Sequence, residues 1–307
     1  MKPPSPTVAK QRGMAIISAL LITAVVAVIA AGMLTRQSVF TRSLEAEQAR
    51  VQGSALLLGG LEVSRQLLRE ARAQDVLTRL DQPWARPIRT VQDGEFEGHL
   101  EDLQGKFNLR NLVVREQVDL GQMRSFERLC AMIGIDARLA QRISQRVIAG
   151  YPRKPVASAS GLPVPALPAT QPMLRSLDQL RGIEGLNEPL LARLGQYVSI
   201  IPVTTWVNSN TASAEVLAAV VPGLSLAQAS QLVAGRDRGQ WFINRGDFVN
   251  RVQLPKLNVD ELDVGITSEW FLLHGQARRN QRRVQLDALL HRPEDAMPRV
   301  IWSRLGV

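Results

Sequence analysis

GMAIISALLITAVVAVIAAGML, residues 13–34, sets one glycine directly against 21 residues that carry no charge. At 1.5 Å per residue such a helix reaches about 30 Å, the thickness of the hydrocarbon core of a bilayer. The residues in front of it, 1–13, are polar and basic, with Lys2, Lys10 and Arg12 and prolines at 3, 4 and 6. A secretory signal peptide has a shorter apolar region followed by a small-residue cleavage site. Here the apolar run is too long for that, and helical patterning continues past it. Residues 14–34 are therefore predicted to be a retained membrane helix. Arg36 and Arg42 beyond it are offset by Glu45 and Glu47, so the charge signal for orientation is slight.

Val51, Ala55, Leu58, Leu61 and Leu68 recur at three- and four-residue steps, which extends the helix as a stem to about residue 72. Gly59-Gly60 within it either kinks the helix or admits close packing. QPWARP, residues 82–87, breaks it. Phe96, Gly98 and Leu100 then alternate with Glu95, Glu97, His99 and Glu101, the period of a half-buried strand. Three more strand candidates lie late in the chain, at 267–275, 283–290 and 299–304. In the second, Val284, Leu286, Ala288 and Leu290 share a face, and the basic run RRNQRR at 278–283 suits a solvated turn before it.

Between the early strand and the late ones, residues 109–262 read as mostly helical. Residues 126–149 are amphipathic with a break at Gly134, and 173–197 and 212–249 supply further short helices. Residues 152–172, rich in Pro, Ala and Ser, are expected to form a mobile loop. The fold class is α+β: a long N-terminal membrane and stem helix, an antiparallel sheet, and a large helical domain inserted in that sheet.

Composition excludes more than it assigns. With 37 Lys+Arg against 28 Asp+Glu the net charge is +9, a balance that suits nucleic acid or an anionic membrane surface. The single cysteine, Cys130, rules out an intramolecular disulfide or a cysteine-based metal site and reads as a small buried hydrophobe. His99, His274 and His291 show no ligand spacing, and no metalloprotease, Walker A, nucleophile-elbow or complete dinucleotide motif occurs. Asp102, Asp178, Asp237 and Asp247 read as scattered surface acids with no paired nucleophile and base. No enzyme is expected.

A basic leader ending in Gly13 against an apolar helix resembles the class III signal of type IV pilins and type II secretion pseudopilins. The resemblance implies that a prepilin peptidase cuts between Gly13 and Met14 on the cytoplasmic side and methylates Met14. Most such subunits carry glutamate at the fifth mature position, where this chain has Ser18. A carboxylate inside the membrane costs about 2.5–3.5 kcal/mol on insertion scales and needs a partner. In such filaments that partner is the N-terminal amine of the subunit above, and a subunit with nothing above it needs none. Helix packing against other pseudopilins is expected at Ala15, Ala19, Ala24 and Ala27, where small side chains allow close approach.

Beyond the N-terminus, EDLQGKFNLRNL at 101–112, LDQLRGIEGL at 177–186, VNSNTASAEVLAAV at 207–220 and GRDRGQWFINRGDF at 235–248 are similar, in order and spacing, to the type II secretion protein K family. In VNSNTASAEVLAAV, Thr211 is expected to cap the following helix. The resemblance divides the chain into leader 1–13, transmembrane helix 14–34, periplasmic stem 35–81, the first part of a pseudopilin-type sheet 82–108, the inserted helical domain 109–262 and the last strands 263–307. It implies a minor pseudopilin at the pseudopilus tip, anchored once in the bacterial inner membrane with its globular part in the periplasm. Its implied partners are I- and J-type minor pseudopilins, other pseudopilins and the prepilin peptidase. That family usually has an acidic stretch after the helix near 143–148, implicated in calcium binding. Here 149–171 contains no Asp or Glu, and calcium takes several oxygen ligands, typically carboxylates, so no metal ligand is assigned.

The alternative is a membrane-tethered, competence-type DNA-binding protein. VPGLS at 221–225 between two helices, followed by Arg236 and Arg238, resembles a helix-hairpin-helix, with Ser225 where the phosphate cradle has its second glycine. That missing glycine weakens the cradle, and no nucleic-acid partner is expected.

Overall fold

The structure is a computed structural model that describes residues 11–91, 95–154, 166–255, 257–279 and 282–306. Its first element, α1 (Gln11–Gln74), is one unbroken helix of 64 residues, roughly 95 Å long. No proline interrupts these residues, so every turn retains its backbone hydrogen bonds. The stretch Ile16–Leu44 is long and apolar enough to cross a membrane and is exposed throughout. The lower half of α1 therefore leaves the body of the protein, and only the stem half packs on it.

Five strands form one antiparallel sheet in chain order: β1 (Ile88–Val91), β2 (Glu95–Asp102), β3 (Trp270–Arg279), β4 (Arg282–His291) and β5 (Arg299–Gly306). β2 and β3 are neighbours although about 170 residues separate them, because the helical segment leaves at the end of β2 and returns just before β3. β1 escapes the sequence reading because four residues are too few to show a period. The third strand starts at Trp270 rather than 267, since Ser268 and Glu269 spend their backbone N–H groups on Thr78 Oγ1 and Gln104 Oε1. Asn280 and Gln281, at the centre of the basic run, lie outside the described residues, and Arg278 pairs with Glu95 at 2.6 Å.

One sheet face is apolar and carries the stem. Phe96, Leu100, Phe271, Leu273, Leu286, Ala288 and Leu290 pack against Leu57, Leu61, Leu68 and Ala71 of α1, with Trp84 closing the end. The predicted stripe on α1 divides between two faces. Leu61 and Leu68 are buried with Leu57, whereas Val51, Ala55 and Leu58 point away from the sheet and are exposed. The reason is geometric: at 100° per residue, positions 61 and 68 fall about a quarter turn from 51, 55 and 58. Gly59-Gly60 leaves α1 unbroken and serves contact. A Cβ at Gly60 would lie 2.2 Å from the Phe96 ring, and one at Gly98 or Gly275 would lie 2.8 or 2.9 Å from it.

The insertion has its own core. Among the described residues six helices build it: α2 (Leu120–Met132), α3 (Ala137–Ile148), α4 (Glu188–Tyr197), α5 (Ala214–Val220), α6 (Leu226–Asp237) and α7 (Arg245–Val252). Each begins with a short polar side chain that accepts from the backbone N–H three residues on: Asp119, Asp136, Asn187, Ser213, Ser225 and Asn244. Such caps contribute about 1 kcal/mol each, which matters for helices this short. Gly134, at φ +74°, closes α2 as the sequence break suggested. Phe107, Phe126, Leu129, Cys130, Ile143, Leu194, Leu217, Phe242 and Phe248 form the centre. Cys130 is buried, and its thiol is pushed up to about 12 by that burial, so it behaves as a hydrophobe. Much of the predicted loop, residues 155–165, lies outside the described residues.

Gly59 and Gly60 separate two effects that oppose each other. Adding a methyl improves helix propensity by about 1 kcal/mol, while overpacking a filled core costs about 1–3 kcal/mol. Gly59→Ala meets no atom within 4 Å and is expected to raise the thermal unfolding midpoint. Gly60→Ala is expected to lower it by the equivalent of about 2 kcal/mol, because the Phe96 ring cannot move without leaving its pocket. A Gly60→Ala protein as stable as the parent would remove the contact from the account.

Candidate functional site

Two regions bear on function: the anchor half of α1, and the polar junction where the insertion joins the sheet. In the anchor, the Ser18 hydroxyl donates to the Met14 carbonyl at 2.9 Å, and Thr23, Thr35 and Thr41 donate to the carbonyls of Ala19, Ala31 and Gln37. These hydroxyls are satisfied within the helix, so the surface offered to lipid or to another helix is apolar. The Gly13–Met14 bond lies in the first turn of the described helix, and residues 1–10 lie outside the described residues. Ala24, Ala27 and Ala31 fall on one face, with Ala19 and Ala30 roughly a quarter turn away. The Ala15 side chain is outside the described set. Ala30 and Ala31 are absent from the sequence reading, although their three- and four-residue steps from Ala27 carry the same signal.

The junction is built on Asp102, the last residue of β2. The sequence reading groups it with surface acids; the structure buries it. Its Oδ2 accepts from Ser268 Oγ (2.6 Å), Thr211 Oγ1 (2.6 Å) and Asn208 Nδ2 (3.2 Å), and its Oδ1 accepts from the Gln104 backbone N–H (2.8 Å). Those donors come from the segment entering β3, from the insertion and from the turn after β2. Asn208 Nδ2 also lies 3.1 Å from the Thr78 carbonyl beyond α1. Next to this set, the buried Arg292 donates to Thr78 Oγ1 (2.7 Å) and the Ser268 carbonyl (2.6 Å), with its guanidinium over Phe271. Burial pushes the Asp102 carboxyl above its ordinary range against the pull of four hydrogen bonds, and burial lowers Arg292 to about 10. Ser268 bridges the two opposite charges, its hydroxyl donating to Asp102 and its carbonyl accepting from Arg292.

Phrases about a hundred residues apart in the chain therefore meet here. Gly105 allows this, because a Cβ there would lie 2.9 Å from Thr211 Oγ1. Asn108 and Asn111 bind the same strand of chain through Val203 and Thr205. Thr211 does not cap α5. Ser213 does, because Thr211 sits two residues earlier and its hydroxyl is committed to Asp102.

The helix-hairpin-helix reading loses a component. α5 and α6 flank the predicted turn, with Gly223 at φ +82°, but Ser225 and Gln228 cap α6 with each other. Arg236 is buried and donates to the carbonyls of Ser209 and Ala212, so it holds the junction loop and cannot reach a phosphate. Calcium fits no better at the described ends of 149–171. Arg146 donates to the Pro172 carbonyl, Lys154 already pairs with Glu116 at 2.9 Å, and the Ala149 carbonyl is taken by the N–H groups of Thr170 and Gln171. Among the described residues no group of three or more His, Cys, Asp or Glu side chains comes together as a metal site.

Two family models, both described as type II secretion system protein K, match residues 105–203 and 207–267, together more than half of the chain. The chain belongs to the type II secretion system protein K family. It is 28% identical to the type II secretion system protein K of Pseudomonas aeruginosa over 96% of this chain and 93% of that one. It is 29% identical to that of Pectobacterium carotovorum over 92% and 93%, and 26% identical to that of Aeromonas hydrophila over 94% and 96%. Its fold matches a chain in the crystal structure of the GspK-GspI-GspJ complex from the enterotoxigenic Escherichia coli type 2 secretion system. That match has a TM-score of 0.64 and 19% identity, and it covers 86% of this chain and 99% of that one. Both protein K family models open on the junction: the first starts at Gly105, and the second starts on the loop that delivers Asn208 and Thr211 to Asp102.

Asp102→Ala removes the acceptor that four donors share and leaves the Gln104 N–H and the Ser268 hydroxyl unpaired, and Thr211→Val removes one of the four donors. The expected losses are about 3–5 kcal/mol and about 1–2 kcal/mol, read from denaturant unfolding of the detergent-solubilised chain. Equal losses for the two variants would show that Asp102 is not the centre of the set.

Proposed function

We propose that this protein is a minor pseudopilin at the tip of the type II secretion pseudopilus, where it helps initiate assembly and supports export of folded proteins across the outer membrane. The observation that carries the reading is α1. One side of its stem is consumed by the sheet, while Val51, Ala55, Leu58 and Val63 on the other side stay exposed and continue the apolar surface of the anchor. A helix apolar all round below, with Val51, Ala55 and Leu58 on its free face just above before the exposed Glu62, is suited to lie among other helices in and close above a membrane. Ala15, Ala19, Ala24 and Ala27 are the proposed points of closest approach.

The anchor crosses the inner membrane once and the head lies in the periplasm. A prepilin peptidase cuts between Gly13 and Met14 and methylates Met14. Ser18, its hydroxyl spent on its own helix, places no charge in the bilayer, which suits a subunit with nothing above it. The amine of Met14 remains for the glutamate of a subunit below. The size of the insertion also supports an end position, since repeating that domain along a thin shaft would make neighbours collide. I- and J-type minor pseudopilins are the proposed partners, in line with the composition of the Escherichia coli complex. The work is assembly rather than catalysis, and the buried Arg236 argues against nucleic acid as a partner.

Mass analysis of the N-terminal peptide, after expression with and without a prepilin peptidase, tests the reading. A peptide beginning at methylated Met14 only when the peptidase is present is the expected result. An intact leader in both samples overturns the pseudopilin assignment, and immunogold labelling spread evenly along purified filaments overturns the tip position.

A further inference from the structure

The sheet face opposite the stem carries a row of ionisable side chains in direct register. His99 on β2 stands opposite His274 on β3, His274 opposite Asp287 on β4, and Asp287 opposite Arg304 on β5. The two imidazoles stack, with centroids 4.9 Å apart and planes 27° from parallel. His274 lies between two carboxylates, with Nδ1 2.8 Å from Asp287 Oδ1 and Nε2 3.8 Å from Glu101 Oε2. Each carboxylate is shared with a cation that reaches the insertion. Arg304 holds Asp287 at 2.9 Å and Asp178 at 3.0 Å, and Lys106 holds Glu101 at 2.5 Å and donates to the Gly195 carbonyl at 2.5 Å. Both contacts line a cleft of about 410 Å³ between sheet and insertion, open to solvent, so protons have access.

We propose that the stacked pair His99–His274 carries a single proton in the working fold, and that this proton regulates how firmly the helical insertion is held on the sheet. With His274 charged, Glu101 and Asp287 are drawn to one centre, and the two clamps through Lys106 and Arg304 close over it. A second proton would place two cations face to face on the stack. The other charged groups facing the pair are Glu97 on β2 and, from the insertion side of the cleft, Arg175 and Asp178.

The direction of the pH response follows from the same neighbours. Glu101 and Asp287 hold His274 above the ordinary histidine range, although Asp287 makes the shorter contact. Burial, and then the charge of His274, keep His99 below that range. The His274 contribution is complete below its unfolded value, about 6.5, and is lost as pH rises through its raised folded value. The His99 contribution is present above about 6.5 and is lost as pH falls toward its lowered folded value. The hold is therefore firmest between the two and slackens on either side, and the acid-side loss through His99 sets in at higher pH than protonation of Glu101 and Asp287, whose carboxyls are held below their ordinary range.

The full chain in detergent micelles serves for the test, since it contains only three histidines and their ring signals can be assigned one by one. Ring signals of ¹³C-labelled histidine are expected to show His274 and His99 titrating in separate steps, more than about one pH unit apart. Hydrogen exchange in residues 175–180 and 192–200, corrected for the intrinsic pH dependence, is expected to be slowest between those steps. It should rise about tenfold or more below the lower step, relative to the α2–α3 core. His99→Gln is expected to abolish the acid-side rise while leaving the alkaline side, and His274→Gln to abolish the alkaline-side rise and shrink the acid-side one, since burial by itself still disfavours a charged His99. Overlapping titrations near the ordinary value, or exchange in these segments that tracks the α2–α3 core at every pH, overturn the proposal. So does an acid-side rise that survives in His99→Gln.

Discussion

Phe96 occupies space that exists only because Gly60, Gly98 and Gly275 lack side chains, and the placement of α1 on the sheet depends on it. With the ring seated against the bare backbone of the stem, the helix approaches closely enough for Leu57, Leu61 and Leu68 to join Phe271, Leu273, Leu286 and Leu290 of the sheet in one core. The free side of the stem is then fixed as well, because a rotation of α1 that hid Val51 and Leu58 would expose the leucines and drive a Cβ into the ring. The face of the stem that stays free is thus set by one aromatic contact.

The second constraint follows from topology. Placing a large helical domain between two strands that are hydrogen-bonded neighbours brings its entry and exit side by side at the end of β2. Several chain segments cross there, and their backbone groups cannot all be satisfied by one another. Asp102, Asn208, Ser268, Thr78, Gln104 and Arg292 supply the missing partners, and a small apolar cluster of Leu103, Ile201, Trp270 and Leu289 seals the junction beside them. A buried polar set of this kind holds one geometry, since shifting any member leaves a charge or donor unpaired. The histidine row lies farther along the same sheet, where the contact with the insertion is wetter and carried by longer side chains.

Much of the architecture was legible from pattern. The anchor showed in a charge-free run, β2 in its alternation, and the helix break in Gly134, because each of these signals is local. The divided stripe on α1 was not, since a three- and four-residue spacing drifts around a long helix and only the partner sheet decides which residues are covered. Asp102 looked like any surface acid because nothing near it in sequence reveals that Thr211 and Ser268 will reach it. Thr211 looked like a cap for the same reason: its neighbours suit a helix start, and the competing acceptor lies 109 residues earlier. Arg236 looked like a phosphate ligand because its burial depends on the loop at 209–212 folding over it.

What the amino-acid sequence determined by itself was whatever depends on neighbours along the chain: the long apolar span, the class of the fold and the family phrases that mark it. Hydrophobic runs, periods and caps act over a few residues, so they can be read in order. The tertiary structure alone decided which face of the stem stays free, which acid is buried, and that two histidines 175 residues apart would stack between paired clamps. Those outcomes depend on strand register and on glycines that permit close approach, and both are properties of segments that meet only once the chain has folded.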